Sequence, residues 1–325
     1  MTAVLAPALL VVLLLGSALG GPRLLRRAAP ALARTPRLAT TMLTASTIVW
    51  LLAFMALGPT LAWATSGPSM LTGRPAEVCR RCIDAAAPFT GSTVEAMVPP
   101  ALLLAVPVVG ASVVVGAVVR LTMRRRRAVR ATAQSVAAVA RPLRLAGHQV
   151  QVVADPQPAA FALPRRQGGI VISEGAVRNL DAVELDAVLA HENAHLRQRH
   201  HAVGTLVQGM AQPFRWVPLV RAAADAIPHY FEIAADDAAR RRAGTPALAS
   251  ALLKLSEPRP TRTTTGLLHD ADHLLHAAGP DRIHHLVNPD PAPTGTGASL
   301  ASLLNLTVLG VVGTSVFTVF IIGCA

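Results

Sequence analysis

The sequence predicts a mainly α membrane protein, with four transmembrane helices and a cytoplasmic α+β domain built around a small sheet. Three observations lead there. Four stretches are long, apolar and uncharged; arginines crowd beside some of them and not others; and one block, about 121–298, is polar enough to fold in water. Residues are 52% hydrophobic but only 3% aromatic, an Ala/Val/Leu-rich balance with positive mean hydropathy that suits a bilayer.

The apolar stretches cover about 4–19, 41–63, 98–119 and 300–323, the last within a terminal segment 299–325. Each approaches the roughly 20 residues that a helix needs to cross the hydrocarbon core. The first is the shortest and invites comparison with a signal peptide. No basic residue precedes it, however, and Arg23, Arg26 and Arg27 follow it, which is the wrong polarity for secretion. Trp50 and Trp63 are expected at or near the interfaces of the second span.

Arginine placement sets the expected orientation. The loop at 20–40 carries Arg23, Arg26, Arg27, Arg34 and Arg37 without an acid, and the third span is followed by Arg120, Arg124, Arg125, Arg126, Arg127 and Arg130. The loop at 64–97 balances Arg74, Arg80 and Arg81 against Glu77, Asp84 and Glu95. The positive-inside rule makes the two basic segments cytoplasmic and both chain ends extracellular. Much of the +12 formal charge is therefore topological, and a juxtamembrane arginine cluster attracts anionic lipid. Residues 131–298 hold 16 basic and 15 acidic side chains, which leaves no basic face for nucleic acid. The lipid bilayer is the expected partner of this charge.

Cys79 and Cys82 fall in the outer loop and Cys324 near the outer end. A lone Cys-x-x-Cys pair is weak as a metal site, and a local disulfide fits an oxidising compartment better.

Within 121–256, the soluble part, apolar periodicity over 128–146 predicts a helix leaving the membrane. Segments 148–154 and 169–173, rich in Val and Ile between Pro and Gly, read as strands, with a third at 159–163. A strong helix is predicted over 181–201, with Asp181 as N-cap and Glu184 completing a capping-box pattern. Further helices are expected over 230–243 and on to about 256, before a Pro/Thr/Gly/His-rich linker at 257–298. The interval 204–227, interrupted by Pro213 and Pro218, reads either as core or as a segment lying on the membrane.

The chemistry concentrates in His191-Glu192-Asn193-Ala194-His195. Residues four apart share a helix face, so both imidazoles reach one cation. Glu192, beside the first ligand, can accept the proton of a metal-activated water attacking a peptide carbonyl. A third ligand is offered by Glu232 in Glu232-Ile233-Ala234-Ala235-Asp236, with Asp236 placed to hold a ligand imidazole. Ala234, Ala235, Ala238 and Ala239 would let the two helices approach closely. His229 is a candidate pocket residue, while His200 and His201, continuing the first helix, should point away. His269, His273, His276, His284 and His285 make the linker His-rich, as expected of a solvated segment.

With these paired motifs lying between a third and a fourth span, the chain resembles the BlaR/MecR-type membrane zinc metallopeptidases. These are gluzincins more distantly related to the HtpX and CAAX-prenyl types. Phe161-Ala162-Leu163-Pro164, Gly169-Ile170-Val171-Ile172-Ser173 and Leu185 through Ala190 agree as well. The resemblance implies one zinc ion on His191, His195 and Glu232, with Glu192 catalytic. It also implies an endopeptidase in a bacterial plasma membrane, acting on a cytoplasmic or membrane-proximal protein, with a transcriptional repressor or the chain's own 257–297 linker as candidate substrates. In that family a sheet edge pairs with extended substrate, which directs attention to 170–173 or 159–163. The beta-lactam-sensing members carry a penicillin-binding domain after the fourth span; this sequence ends at Ala325, so a short form without that sensor is expected. The competing reading is a non-catalytic receptor or scaffold that keeps the zinc-peptidase fold, and the intact Glu192 argues against it.

Overall fold

The computed structural model describes residues 2–66 and 100–256, with positions 297, 300, 307, 310 and 311. The Cys79/Cys82 loop, the His-rich linker and nearly all of the expected fourth span lie outside the described residues.

Three long helices open the chain: α1 (Thr2–Arg34), α2 (Pro36–Ser66) and α3 (Pro100–Val139). Segments 7–34, 36–62 and 105–139 within them are long and apolar enough to cross a membrane. The segment expected as a loop at 20–40 is helical instead, with only Thr35 between α1 and α2. Its Leu, Ala and Arg residues are all good helix formers, and Pro36 at the first position of α2 needs no N–H partner there.

Helix α3 likewise runs past its apolar part, but stops at Val139 rather than near 146. Pro142 is one cause, and the chain turns into β1 (Arg141–Leu145), a strand the helical periodicity did not reveal. Ala146 (φ 44°) and Gly147 (φ 81°) form a two-residue turn into β2 (His148–Val153), antiparallel to β1. Pro142 is tolerated because β1 is an edge. With β3 (Ala160–Ala162) and β4 (Ile170–Ser173) the sheet has the order β1-β2-β4-β3, β2 and β4 being parallel and β3 antiparallel to β4. Of the two edge candidates named from sequence, 170–173 is interior and 160–162 is the edge.

Ser173 caps the short α4 (Glu174–Asn179), and Asp181 caps α5 (Ala182–Arg197) with the full capping box to Glu184. Helix α5 is enclosed. Val188 and Leu189 pack on Val150, Ile170 and Ile172 of the sheet, while Ala187 and Ala190 meet Ala239 and Leu248. The expected helix over 181–201 is broken: α5 ends at Arg197, Arg199 takes the left-handed conformation (φ 54°, ψ 36°), and α6 (His200–Ala211) begins.

One face of the interrupted interval 204–227 joins the core, while Leu206 and Trp216 (71% exposed) lie on its outer face. Pro213 and Pro218 do not break helices; each sits at a helix start, Pro218 opening α7 (Pro218–Ala243). Val207, Met210, Phe214, Val220, Ala224 and Ile227 pack against Leu10, Leu14, Leu43 and Trp50 of the first two helices. Trp50 is 4% exposed, stacks on Phe54 with ring centroids 5.6 Å apart, and donates its indole N–H to Leu14 O (3.3 Å), which anchors it in the core. Gly209 allows α6 to lie on α3, since a Cβ there would stand 2.8 Å from Val118 Cα. Pro228 lies inside α7 and cannot donate to Ala224 O; Gln208 Nε2 donates to that carbonyl instead (2.8 Å).

The last helix, α8 (Thr245–Ser256), is tied to α5 through the capping residue itself. Glu184 Oε2 accepts from Lys254 Nζ (2.6 Å) and Asp181 N (2.8 Å), and Oε1 accepts from Ser250 Oγ (2.6 Å). The bond from Lys254, then that from Ser250, hold the Glu184 carboxyl down to about 2, against burial, from an ordinary 4.5. A carboxyl lowered on folding stabilises the fold above its unfolded value and ceases to do so as pH falls through its folded one. Unfolding of detergent-solubilised protein should therefore become easier between pH 4.5 and about 2. Lys254→Ala should cost about 2 kcal/mol at neutral pH and flatten that acid dependence, as read by denaturant midpoints.

Candidate metal centre

Helices α5 and α7 cross with small residues between them: Ala194, Ala234, Ala235 and Ala239 are all buried. That close approach brings together four polar side chains from two sequence segments. His191, His195, Glu232 and Asp236 are 4%, 6%, 2% and 1% exposed. The two imidazole Nε2 atoms are 3.1 Å apart; Glu232 Oε2 is 3.5 Å from that of His191, and Oε1 is 3.4 Å from that of His195.

These separations can be tested against a cation. Bonds of about 2.0–2.2 Å in tetrahedral array place neighbouring ligand atoms roughly 3.3–3.5 Å apart. The separations lie close to that range, with one Glu232 oxygen toward each ring and the imidazole pair slightly closer, so one atom from each of the three side chains could reach a common cation and leave a position open for water or substrate. The chemistry of the donor set agrees, two imidazoles and one carboxylate forming the set of an open, catalytic site rather than a closed structural one.

The surrounding groups aim these donors. Asp236 Oδ1 lies 2.9 Å from His191 Nδ1, so that in the neutral ring the Nε2 lone pair is directed at Glu232 and His195. Burial depresses the basicity of His191, but the contacts with Asp236 and then Glu232 outweigh it and raise its pKa to about 9. Glu192 is itself buried (3% exposed), next to His191 on α5. His229 stands half-buried on α7, its ring edge-on to Tyr230 at 5.9 Å.

One expectation fails. His200 does not point away: it is 5% exposed, with Nδ1 2.9 Å from Nδ1 of His195. Nine positions of continuous helix would carry it off the site, but the left-handed Arg199 ends that helix and folds the next residue back. No glycine marks this turn, so nothing local announces it. Beside His200 opens a cavity of about 970 Å³, walled by Thr40, Thr44 and Ile48 of α2 and by Asn193, Phe231 and Ala234.

The comparisons with known proteins meet the chain over the segment that builds this centre. Residues 123–235, about a third of the chain, match the model of Peptidase family M48; the match takes in His191, Glu192, His195 and Glu232. Among individual proteins, the chain is similar to a protease HtpX homolog of Pelotomaculum thermopropionicum, 37% identical over 65 residues, 19% of this chain and 23% of that protein. It is 37% identical over 68 residues to protease HtpX of Idiomarina loihiensis, covering 20% and 24% of the two chains. With protease HtpX of Photorhabdus laumondii it shares 28% over 115 residues, 35% of this chain and 39% of the relative. The chain thus spans between about a quarter and two fifths of the length of these curated relatives. No solved structure matches it.

A raised His191 pKa has a measurable consequence. Below about pH 9 the metal-free ring holds a proton that a bound cation must displace. Apparent affinity for a divalent metal, read by competition with a chromophoric chelator, should rise about tenfold per pH unit from pH 6 and level off above 9. Asp236→Asn should weaken metal binding by about 10–100-fold and move that levelling to lower pH.

Proposed function

We propose that this chain is an integral-membrane zinc-dependent endopeptidase, with His191, His195 and Glu232 as metal ligands and Glu192 as general base. The observation that carries the reading is the convergence of His191 Nε2, His195 Nε2 and the Glu232 carboxylate within 3.1–3.5 Å of one another, from motifs 41 residues apart in sequence. A bound zinc ion supplies Lewis acidity for activating water and polarising a peptide carbonyl. Glu192 then takes the proton of the attacking water and delivers it to the departing amine, a role that favours a buried carboxylate adjacent to the first ligand. Asp236 holds His191 in one tautomer throughout. Strand β3, the sheet edge on the side of α5, is the backbone along which we expect an extended substrate to pair.

The BlaR/MecR-type arrangement is our preferred subclass, supported by three span-length helices before the site and the apolar stretch 300–323 after it. A repressor, or the chain's own linker at 257–297, is the corresponding candidate substrate, in a signalling role. A cytoplasmic site is supported by two contacts. Arg37 Nε donates to Gln198 Oε1 (3.2 Å) and Arg125 Nη1 to Thr205 Oγ1 (3.0 Å), which puts both arginine-rich segments beside the helices around the metal centre.

Purified protein should cleave a casein-like substrate in a chelator-sensitive manner. Glu192→Gln should lower turnover roughly 10²–10⁴-fold while keeping one bound zinc, whereas Glu232→Ala should lose the metal and His229→Ala should retain it. Full zinc occupancy with no cleavage by the wild type would point instead to a scaffold.

A further inference from the structure

We propose that His200, Gln198 and Arg37 act as positioning residues for His195, forming a hydrogen-bonded relay from the first turn of α2 to the metal centre. The inference rests on the metal-centre reading above and adds residues that neither motif contains.

The relay's polarity is set at its outer end, before any metal is considered. Arg37 Nε lies 3.2 Å from Gln198 Oε1, and a guanidinium can only donate, so Gln198 presents its carbonyl oxygen there. The same oxygen lies 3.3 Å from His200 Nε2, which must therefore carry the proton. A neutral imidazole protonated on Nε2 accepts at Nδ1. His200 Nδ1, 2.9 Å from His195 Nδ1, consequently accepts the N–H of His195. That assignment leaves the lone pair of His195 on Nε2, the atom that faces His191 Nε2 and Glu232 Oε1. Every donor in the sequence meets one acceptor, and the two lone pairs of Gln198 Oε1 meet two donors.

The packing holds this geometry. His200 is stacked on Phe231, with ring centroids 4.3 Å apart and planes at 14°, and Phe231 immediately precedes the ligand Glu232. Gly204, one turn along α6, leaves the space; a Cβ there would stand 3.3 Å from Phe231 Cε2. The arrangement mirrors the other ligand. Asp236 fixes His191 through Nδ1, and His200 fixes His195 through Nδ1, so each imidazole is oriented from behind. The difference lies in what stands further out: Arg37 belongs to a span-length helix, so α2 takes part in setting the metal's affinity.

The test is zinc affinity of detergent-solubilised full chain by chelator competition, with the absorption bands of the cobalt-substituted protein as a second readout. Wild type should bind one ion. His200→Ala should weaken binding about 10–100-fold and alter the cobalt bands, while His200→Asn, whose Oδ1 stands where the imidazole Nδ1 was, should restore affinity to within a few-fold. Gln198→Leu and Arg37→Ala, both outside the buried core, should weaken it several-fold, and the double variant should be no weaker than Gln198→Leu alone. Wild-type binding with Gln198→Leu, Arg37→Ala and His200→Asn all indistinguishable from it, and His200→Ala no weaker than threefold, overturns the relay and leaves the metal centre standing. Failure of the wild type to bind any ion overturns both.

Discussion

The interior of this protein is organised around a burial problem. Two imidazoles and two carboxylates occupy a space from which water is almost wholly excluded, and isolated charges in such a place cost several kcal/mol each. They are tolerated because they face one another: a carboxylate stands behind His191, a second bridges both rings, and a third histidine backs His195. A divalent cation at their common focus would neutralise the cluster and match its spacing. Around it the helix surfaces are stripped to alanine, because only small side chains let α5 and α7 come close enough for the four groups to meet.

That constraint decides how the rest of the chain is used. Helix α5 must be fixed on all sides, and its two ends are treated differently. The capping residue Glu184 joins it to α8, and the turn at Arg199 hands the chain directly to α6. Helix α7 is held by other means: its first half is sheathed by α1 and α2, its second half carries Glu232 and Asp236. The helices long enough to cross a membrane are thus not a detachable anchor. They supply a large part of the core on which the helix carrying Glu232 and Asp236 rests.

Much of this could be read from residues alone. The pairing of His191 with His195 and of Glu232 with Asp236 was legible because a four-residue spacing on a helix is a geometric statement in itself, and the capping box at Asp181 and Glu184 is equally local. Strands 148–153, 160–162 and 170–173 announced themselves through Val and Ile between Gly and Pro. What escaped was long-range or locally unmarked. β1 lay concealed because its residues continue a helical apolar pattern and only pairing with β2 makes them a strand. The prolines of 204–227 resembled interruptions because a proline at a helix start and a proline in a break look alike in sequence. His200 was misplaced because Arg199, with no glycine's freedom, adopts a left-handed turn that only tertiary packing can impose.

Helix α7 contains one more feature of consequence. At Pro228 its backbone ladder has a missing rung, and the orphaned Ala224 carbonyl is met by a side chain from α6, that of Gln208. The gap falls one turn before Glu232. A helix is most compliant where a rung is absent, so α7 is in effect a two-piece rod with an external splint across its joint. The segment clasped by α1 and α2 and the segment bearing the carboxylate can change their mutual angle by exchanging one amide hydrogen bond, with the helix on either side left whole. Glu232 and Asp236 thus sit on the far side of that joint from the half of α7 that packs on α1 and α2.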